Sequence, residues 1–247
     1  MPYDNFSSED VPGLFSLEHL LFIIVFAILA ILSFYLSRKI DSKYTKKILF
    51  VIAIIVTVME IVKIGIRIYK HEPYDNYIPV YFCSLYLYAI WMIFIRNKYI
   101  ERAGYTFMVF GGIFASIVFS LYPTTSLLLY PIWHPATIHS FVYHVLMFYS
   151  GCLVANSKIY TPNIKDSYLY TGFLTIFCII GVILNHYLNT NMMFLANPFG
   201  LPLLSDLASN YKWLYTLIVY LAESVLLYWF NYGIYKLIKR RNNWWNY

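Results

Sequence analysis

Seven stretches of nearly unbroken apolar residues run along the chain, separated by short segments rich in Pro, Asn, Lys and Arg. Their pattern predicts helices at 15–37, 47–69, 77–96, 104–122, 137–156, 167–187 and 213–235. Each stretch is close to the ~20 residues that carry a helix across a ~30 Å hydrocarbon core. The ~10-residue alternating strands of a transmembrane barrel do not occur. The expected fold is therefore all-α: a polytopic membrane protein, a bundle of seven transmembrane helices. Proline punctuates the gaps, with Pro73 and Pro79, then Pro123, Pro131 and Pro135, then Pro162, then Pro198 and Pro202. There is no internal repeat, and no connection is long enough to hold a second domain, so residues 1–247 read as one.

The basic residues sharpen this picture. Arg38, Lys39, Lys43, Lys46 and Lys47 fill the first connection, Arg96, Lys98 and Arg102 the third, Lys158 and Lys165 the fifth, and Lys236, Lys239, Arg240 and Arg241 the tail. Of the eighteen Lys and Arg, only Lys63, Arg67, Lys70 and Lys212 fall elsewhere. Positive charge marks the cytoplasmic side, so the N-terminus is expected outside and the C-terminus in the cytoplasm. Six or eight spans would break that alternation. Trp244, Trp245 and Tyr247 in the tail suit the headgroup layer. Asp4, Glu9 and Asp10 stand where a signal peptide would be basic, so the first span is expected to remain. The connections 123–136 and 188–212 are long, apolar and rich in Pro, Asn and aromatics, which suits segments that lie on the membrane or fold back into the bundle.

Composition agrees. Hydrophobic residues make up 60% and charged residues 12%, against about a quarter charged in soluble domains. The net charge of +6 lies in the connections and reports orientation, so no nucleic-acid partner is implied. Cys83, Cys152 and Cys178 all sit in apolar stretches, which is neither a disulfide framework nor a zinc spacing.

Ionisable groups inside spans are costly and usually face the protein interior. Here they are Glu18 and His19 in the first span, Glu60, Lys63 and Arg67 in the second, His139 and His144 in the fifth, His186 beside Asn185 in the sixth and Glu223 in the seventh. Glu60, Lys63 and Arg67 share one helix face. At 1.5 Å per residue, His19 lies roughly 6 Å inside the outer end of its span, Lys63 and Cys83 about 9 Å, and His144 about 10 Å. The inner half is almost wholly apolar. This predicts a polar cavity open to the outer leaflet and argues against a continuous channel. Plainer readings stand beside it. Glu60 and Lys63 form a structural ion pair one turn apart, Arg67 snorkels to headgroups, His139 bonds near a helix end, and the cysteines are small core residues. What raises Cys83 and His144 is their combination at a similar depth: a thiol needs a base to become a nucleophile, and histidine suits that near neutral pH.

Several segments, taken in order, resemble a known family. They are Phe15 to His19, Glu60, the Pro-x-x-x-Cys-Ser stretch from Pro79 to Ser84, Pro123, Ile138 to His144, and Leu184 to Asn191 leading to Met193-Phe194-Leu195 and Pro198. Over nearly the whole chain they resemble the YwaF family of bacterial integral membrane proteins, related to the eukaryotic transmembrane-protein-164 family. Two positions depart from its pattern: Tyr81 stands where relatives carry a His two residues before the Cys, and Met192 follows Asn191 where they carry Tyr. The eukaryotic relatives look like acyltransferases that move fatty acyl chains between phospholipids. The resemblance implies Cys83 as nucleophile, His144 or, second, His139 as base, and a bacterial plasma membrane as location.

The expected function is a lipid acyltransferase or acyl hydrolase near the outer leaflet, with membrane phospholipid or lysophospholipid as partner. His19, Glu60, Lys63, Arg67, Tyr81, Asn185, Asn191 and Glu223 are expected to line the substrate site, with Asn185, Asn191 or backbone N–H groups stabilising an oxyanion and Lys63 and Arg67 holding a lipid phosphate. The alternatives are a transporter or lipid-binding component without covalent chemistry, and a structural subunit. No cofactor is implied. No metal motif such as HExxH is present, although His19, His139 and His144 leave a site built from separate helices open.

Overall fold

The computed structural model describes residues 6–73, 77–198 and 202–244. Among the described residues it is all-α, without a strand. Six helices are long and apolar enough to cross a membrane: Leu17–Lys39, Ser42–Tyr69, Lys98–Leu121, Pro135–Asn156, Asp166–Leu188 and Lys212–Ile238. The chain is a multi-pass membrane protein.

The elements divide between two compact units, 1–71 with 112–160, and 72–111 with 161–247. The first holds α1 (Leu17–Lys39), α2 (Ser42–Tyr69), α5 (Ile113–Leu121) and α6 (Pro135–Asn156). The helix starts follow from local chemistry. Ser16 Oγ accepts the His19 N–H and Asp41 Oδ1 that of Lys43, and His134 Nδ1 accepts that of Ala136 beside Pro135 in the first turn. Arg38 and Lys39 end α1, where cations complement the helix dipole. Helix α6 packs against α1, α2 and α5. The buried stripe of α1 runs through His19, Phe22, Phe26, Ser33 and Ser37, while Ile24, Ile28 and Ile31 are exposed. In a membrane this is the expected sense: apolar side chains gain nothing by leaving lipid, and small or polar ones allow close helix contact. Asn156 Nδ2 donates to Ser37 Oγ at 2.8 Å. Phe22 and Phe141 meet edge to face at 4.7 Å.

The second unit holds α3 (Leu85–Met92), α4 (Lys98–Thr106), α7 (Asp166–Leu188), α8 (Pro202–Asn210), α9 (Lys212–Leu221) and α10 (Leu227–Trp244). Asp166 is buried at the start of α7. Arg102 grips it with two nitrogens, Nη2 to Oδ2 at 2.9 Å, and Nη2 also donates to the Thr161 carbonyl. Gly104 lets α4 close on α3, since a Cβ there would lie 2.6 Å from the Ala89 carbonyl oxygen.

The predicted third span, 77–96, does not form a helix of crossing length. It has turns at 81–84, the 8-residue helix α3 and further turns before Asn97. Yet Val80, Phe82, Leu85, Tyr86, Ala89, Ile90 and Ile93 are all buried. Irregular backbone at membrane depth survives only when protein covers it, and this stretch is covered. Two further departures are wide, π-helical turns, at Phe107–Gly112 between α4 and α5 and at Ala222–Leu226 between α9 and α10. In the connection 188–212 the described stretch after α7 folds inward, with Met192, Met193 and Leu195 buried, and α8 lies farther along. The interfacial role expected of Trp244, Trp245 and Tyr247 falls outside the described side chains.

Candidate functional site

The first unit gathers His19, His139, His144 and the charged face of α2. His144 is buried on α6, its ring stacked on Phe119 at 3.6 Å between centroids and 4° between planes. Its Nδ1 lies 2.7 Å from the Ser140 carbonyl. A carbonyl only accepts, so Nδ1 carries the proton. Nε2 is then an unprotonated acceptor, and it is enclosed without a hydrogen-bond partner. His139 is held the other way round: Nε2 meets the Met59 carbonyl at 3.2 Å, which leaves Nδ1 as its acceptor. Lys63, Glu60 and Arg67 all lie close enough to act on the His139 ring electrostatically. Buried Glu60 takes a short charge-assisted bond from Lys63 Nζ.

His19 has no free nitrogen. The Phe15 N–H donates to Nδ1 at 3.0 Å, and Nε2 meets the Ser120 carbonyl at 3.3 Å. Phe15 has a positive φ of 63°, so this ring fastens a strained turn at the start of α1 and ties it to the end of α5. The Phe-x-x-x-His pattern thus has a structural explanation in its own backbone.

The second unit holds Cys83, Tyr81, Asn185, Asn191 and Glu223. Cys83 is half-buried in the turn ahead of α3. The backbone beside it is fixed by the segment after α7, where the Met193 N–H donates to the Val80 carbonyl at 3.2 Å and the Phe194 ring meets Tyr81 at 5.3 Å. That segment is itself strained: Asn189, Met193 and Phe194 have φ of 52°, 52° and 55°, a region that side chains with a Cβ seldom adopt. Asn185 holds it. Oδ1 accepts from the Met192 N–H at 2.6 Å and from Thr190 Oγ1 at 2.9 Å, and Nδ2 donates to the Met192 carbonyl at 3.0 Å. Asn191 does the same one turn on, accepting from the Ala196 and Asn197 N–H groups and donating to the Asn197 carbonyl. The Tyr215 hydroxyl closes on the Phe194 carbonyl at 2.7 Å. Both amides, the two side chains offered as alternatives for an oxyanion, thus bond to the backbone of the segment after α7.

Glu223 sits inside the wide turn 222–226, with Oε2 enclosed and unpartnered. It lies within electrostatic range of Cys83, Tyr170, Cys178 and Tyr215. Tyr170 was not singled out by sequence, since nothing marks one tyrosine among twenty-six. Its hydroxyl is also enclosed without a partner, and its ring stacks on Phe107 of the other wide turn at 6.2 Å. Beside this cluster, α7 and α9 flank a groove of about 520 Å³, walled by Cys178, Ile179, Val182, Leu195, Trp213 and Leu217. At its end the hydroxyls of Thr175 and Tyr220 meet at 2.9 Å. Among the described residues, no three His, Cys, Asp or Glu side chains are grouped to hold a metal ion.

No curated protein and no solved structure matches the chain. Residues 14–230 match the TMEM164 family, a stretch that takes in every residue of both clusters. The expected kinship is therefore met, and the chain belongs to the TMEM164 family.

Proposed function

We propose that this protein is a lipid acyltransferase or acyl hydrolase within the membrane, with Cys83 as nucleophile and His144 as base. The observation that carries this reading is the His144 ring. Its tautomer is fixed by the Ser140 carbonyl, and its bare Nε2 is enclosed without a partner. A general base has to offer such a lone pair at neutral pH. His139 is less suited, with two cations near its ring. In this reading Nε2 takes the thiol proton while sulfur attacks an acyl ester. The ester C–O bond breaks, the alcohol leaves with that proton, and the acyl group remains as a thioester. Water or a second lipid alcohol then discharges it. The substrate class is phospholipid or lysophospholipid, with Lys63 and Arg67 near its phosphate.

The reading includes seven crossings, with 77–96 crossing as an interrupted segment, the N-terminus outside and the C-terminus in the cytoplasm of a bacterial plasma membrane. The distribution of Lys and Arg supports the orientation. The experiment is transfer of a tagged acyl chain by protein purified into lipid nanodiscs. Cys83→Ala should abolish turnover, and His144→Gln should lower it by about 10²–10⁴. Full activity in the Cys83 variant removes the covalent route.

The α7–α9 groove favours a second reading, a lipid-binding component without covalent chemistry. Its walls are apolar and its volume is within the ~300–1,000 Å³ typical of ligand sites. Lipid binding that survives Cys83→Ala, with no acyl transfer by the wild type, would select this reading.

A further inference from the structure

Two polar atoms in the second unit have no account in the fold. Oε2 of Glu223 and the hydroxyl of Tyr170 are both enclosed, and neither has a hydrogen-bond partner. Leaving a buried polar atom unpaired costs about 1–3 kcal/mol, and more for a carboxylate. These two atoms lie within each other's electrostatic range. Both belong to, or pack on, the two wide turns. Glu223 is in Ala222–Leu226, and Tyr170 stacks on Phe107 at the head of Phe107–Gly112. A Cβ on Gly111, in that same turn, would lie 3.3 Å from the Tyr170 hydroxyl. Wide turns of this kind recur at functional sites because they re-aim side chains and leave carbonyls unpaired.

The wide turn around Glu223 is braced. Thr171 Oγ1 donates to the Ser224 carbonyl at 2.7 Å, and Ser224 Oγ donates to the Tyr220 carbonyl. This anchors the turn to α7, which carries Tyr170. Cys83 lies in the same unit, within range of the same carboxylate. Cys178 is in range too, and it walls the groove between α7 and α9. The thiol, the carboxyl and an apolar groove therefore converge in one compact unit.

In the proposed first step His144 takes the thiol proton, so the carboxyl has no part to play there. Once sulfur carries an acyl group that proton is gone. What remains is an acceptor close to a thioester, beside a phenol able to donate or accept. We propose that Glu223 is the base of the second half-reaction, taking the proton of the alcohol that accepts the acyl chain, with Tyr170 holding that alcohol's oxygen. The acceptor class is a lipid hydroxyl, such as the free glycerol hydroxyl of a lysophospholipid. The step is balanced. The acceptor O–H loses its proton to Glu223, its oxygen bonds to the thioester carbonyl carbon, and the C–S bond breaks. The proton then passes from Glu223 to the departing thiolate, restoring the thiol.

This inference rests on the thioester reading above, and the test separates the two. Full-length protein in nanodiscs is incubated with phosphatidylethanolamine and phosphatidylglycerol bearing alkyne-tagged acyl chains, then with lysophosphatidylethanolamine. Glu223→Gln should take up a hydroxylamine-labile label on Cys83 at the wild-type rate. It should pass that label to the acceptor about 10²–10⁴-fold more slowly, so the labelled form accumulates. Hydroxylamine, which attacks without a base, should discharge both proteins equally. A merely structural role for Glu223 would not produce that split. If Glu223→Gln takes no label, Glu223→Asp is the second variant: labelling with slow transfer supports the proposal, and no label in either overturns it. Label discharged to the acceptor at the wild-type rate in Glu223→Gln overturns the inference and leaves the Cys83 thioester standing. No labile label on the wild type overturns both.

Discussion

Replacing Asn185 with Ala removes three hydrogen bonds at once. The Met192 N–H, the Thr190 hydroxyl and the Met192 carbonyl all lose their partner. At about 1 kcal/mol net for each bond the loss is about 3 kcal/mol. Met192 is fully buried, so its N–H and carbonyl are left without water, which raises the total to about 4–6 kcal/mol. The same bonds restrain Met193 and Phe194 in left-handed backbone, a conformation that costs about 1–3 kcal/mol per residue and persists only while its surroundings enforce it. Part of the loss will be recovered as these residues relax, so a net destabilisation of about 4 kcal/mol is the working figure. For a chain of this size that lowers the melting temperature by roughly 8–16 °C. Relaxation also frees the Met193 N–H from the Val80 carbonyl, so the turn that carries Cys83 loosens. The assay is thermal unfolding in detergent, read alongside the rate of maleimide labelling at Cys83 with Cys152 and Cys178 replaced by Ala. The expected outcome is a lower midpoint together with faster labelling. A midpoint within about 2 °C of the wild type, with unchanged labelling, would refute the assignment of Asn185 as the residue that shapes this loop.

Asp166→Asn leaves Arg102 beside a neutral partner at the start of α7 and should destabilise by about 2–3 kcal/mol, below the ~3–5 of a fully buried pair because Arg102 is partly exposed; chemical denaturation in mixed micelles measures it. Gly104→Val should destabilise by about 1–3 kcal/mol, since its Cβ has no room against the Ala89 carbonyl, whereas Gly172→Ala, with open space around it, should melt like the wild type. Glu60→Gln should destabilise by stranding Lys63, and adding Lys63→Met should restore most of the loss if the pair is structural; lipid binding that falls in the double variant while its melting temperature recovers would instead assign Lys63 to phosphate.

The long elements were legible because lipid imposes one simple rule on them, and α1, α2, α6 and α7 end within a few residues of where hydropathy puts them, apart from the early start of α2 at Ser42. The interrupted stretch at 77–96 was not legible. Its apolar content equals that of a true span, and hydropathy cannot tell a helix facing lipid from a segment covered by protein. The wide turns at Phe107–Gly112 and Ala222–Leu226 leave no pattern, because an extra residue in a helical turn changes no composition. Spacing put Glu60 and Lys63 on one face, and they do pair. It could not separate His19, whose two nitrogens are bound, from His144, whose Nε2 is bare. Those differences are set by backbone carbonyls and amides, which every sequence has. Tyr170 and the structural work of Asn185 and Asn191 were hidden for the same reason.

The groove between α7 and α9 has a kinetic corollary. Ile179, Val182, Trp213 and Leu217 form its wall and are also exposed on helices of spanning length, so its mouth opens sideways, toward hydrocarbon. A molecule reaching it diffuses in two dimensions and never crosses bulk water. If the proposed function holds, occupancy follows the mole fraction of a given lipid in the surrounding bilayer, and diluting the membrane with inert lipid should slow acyl transfer even when the total amount of that lipid in the tube is held constant.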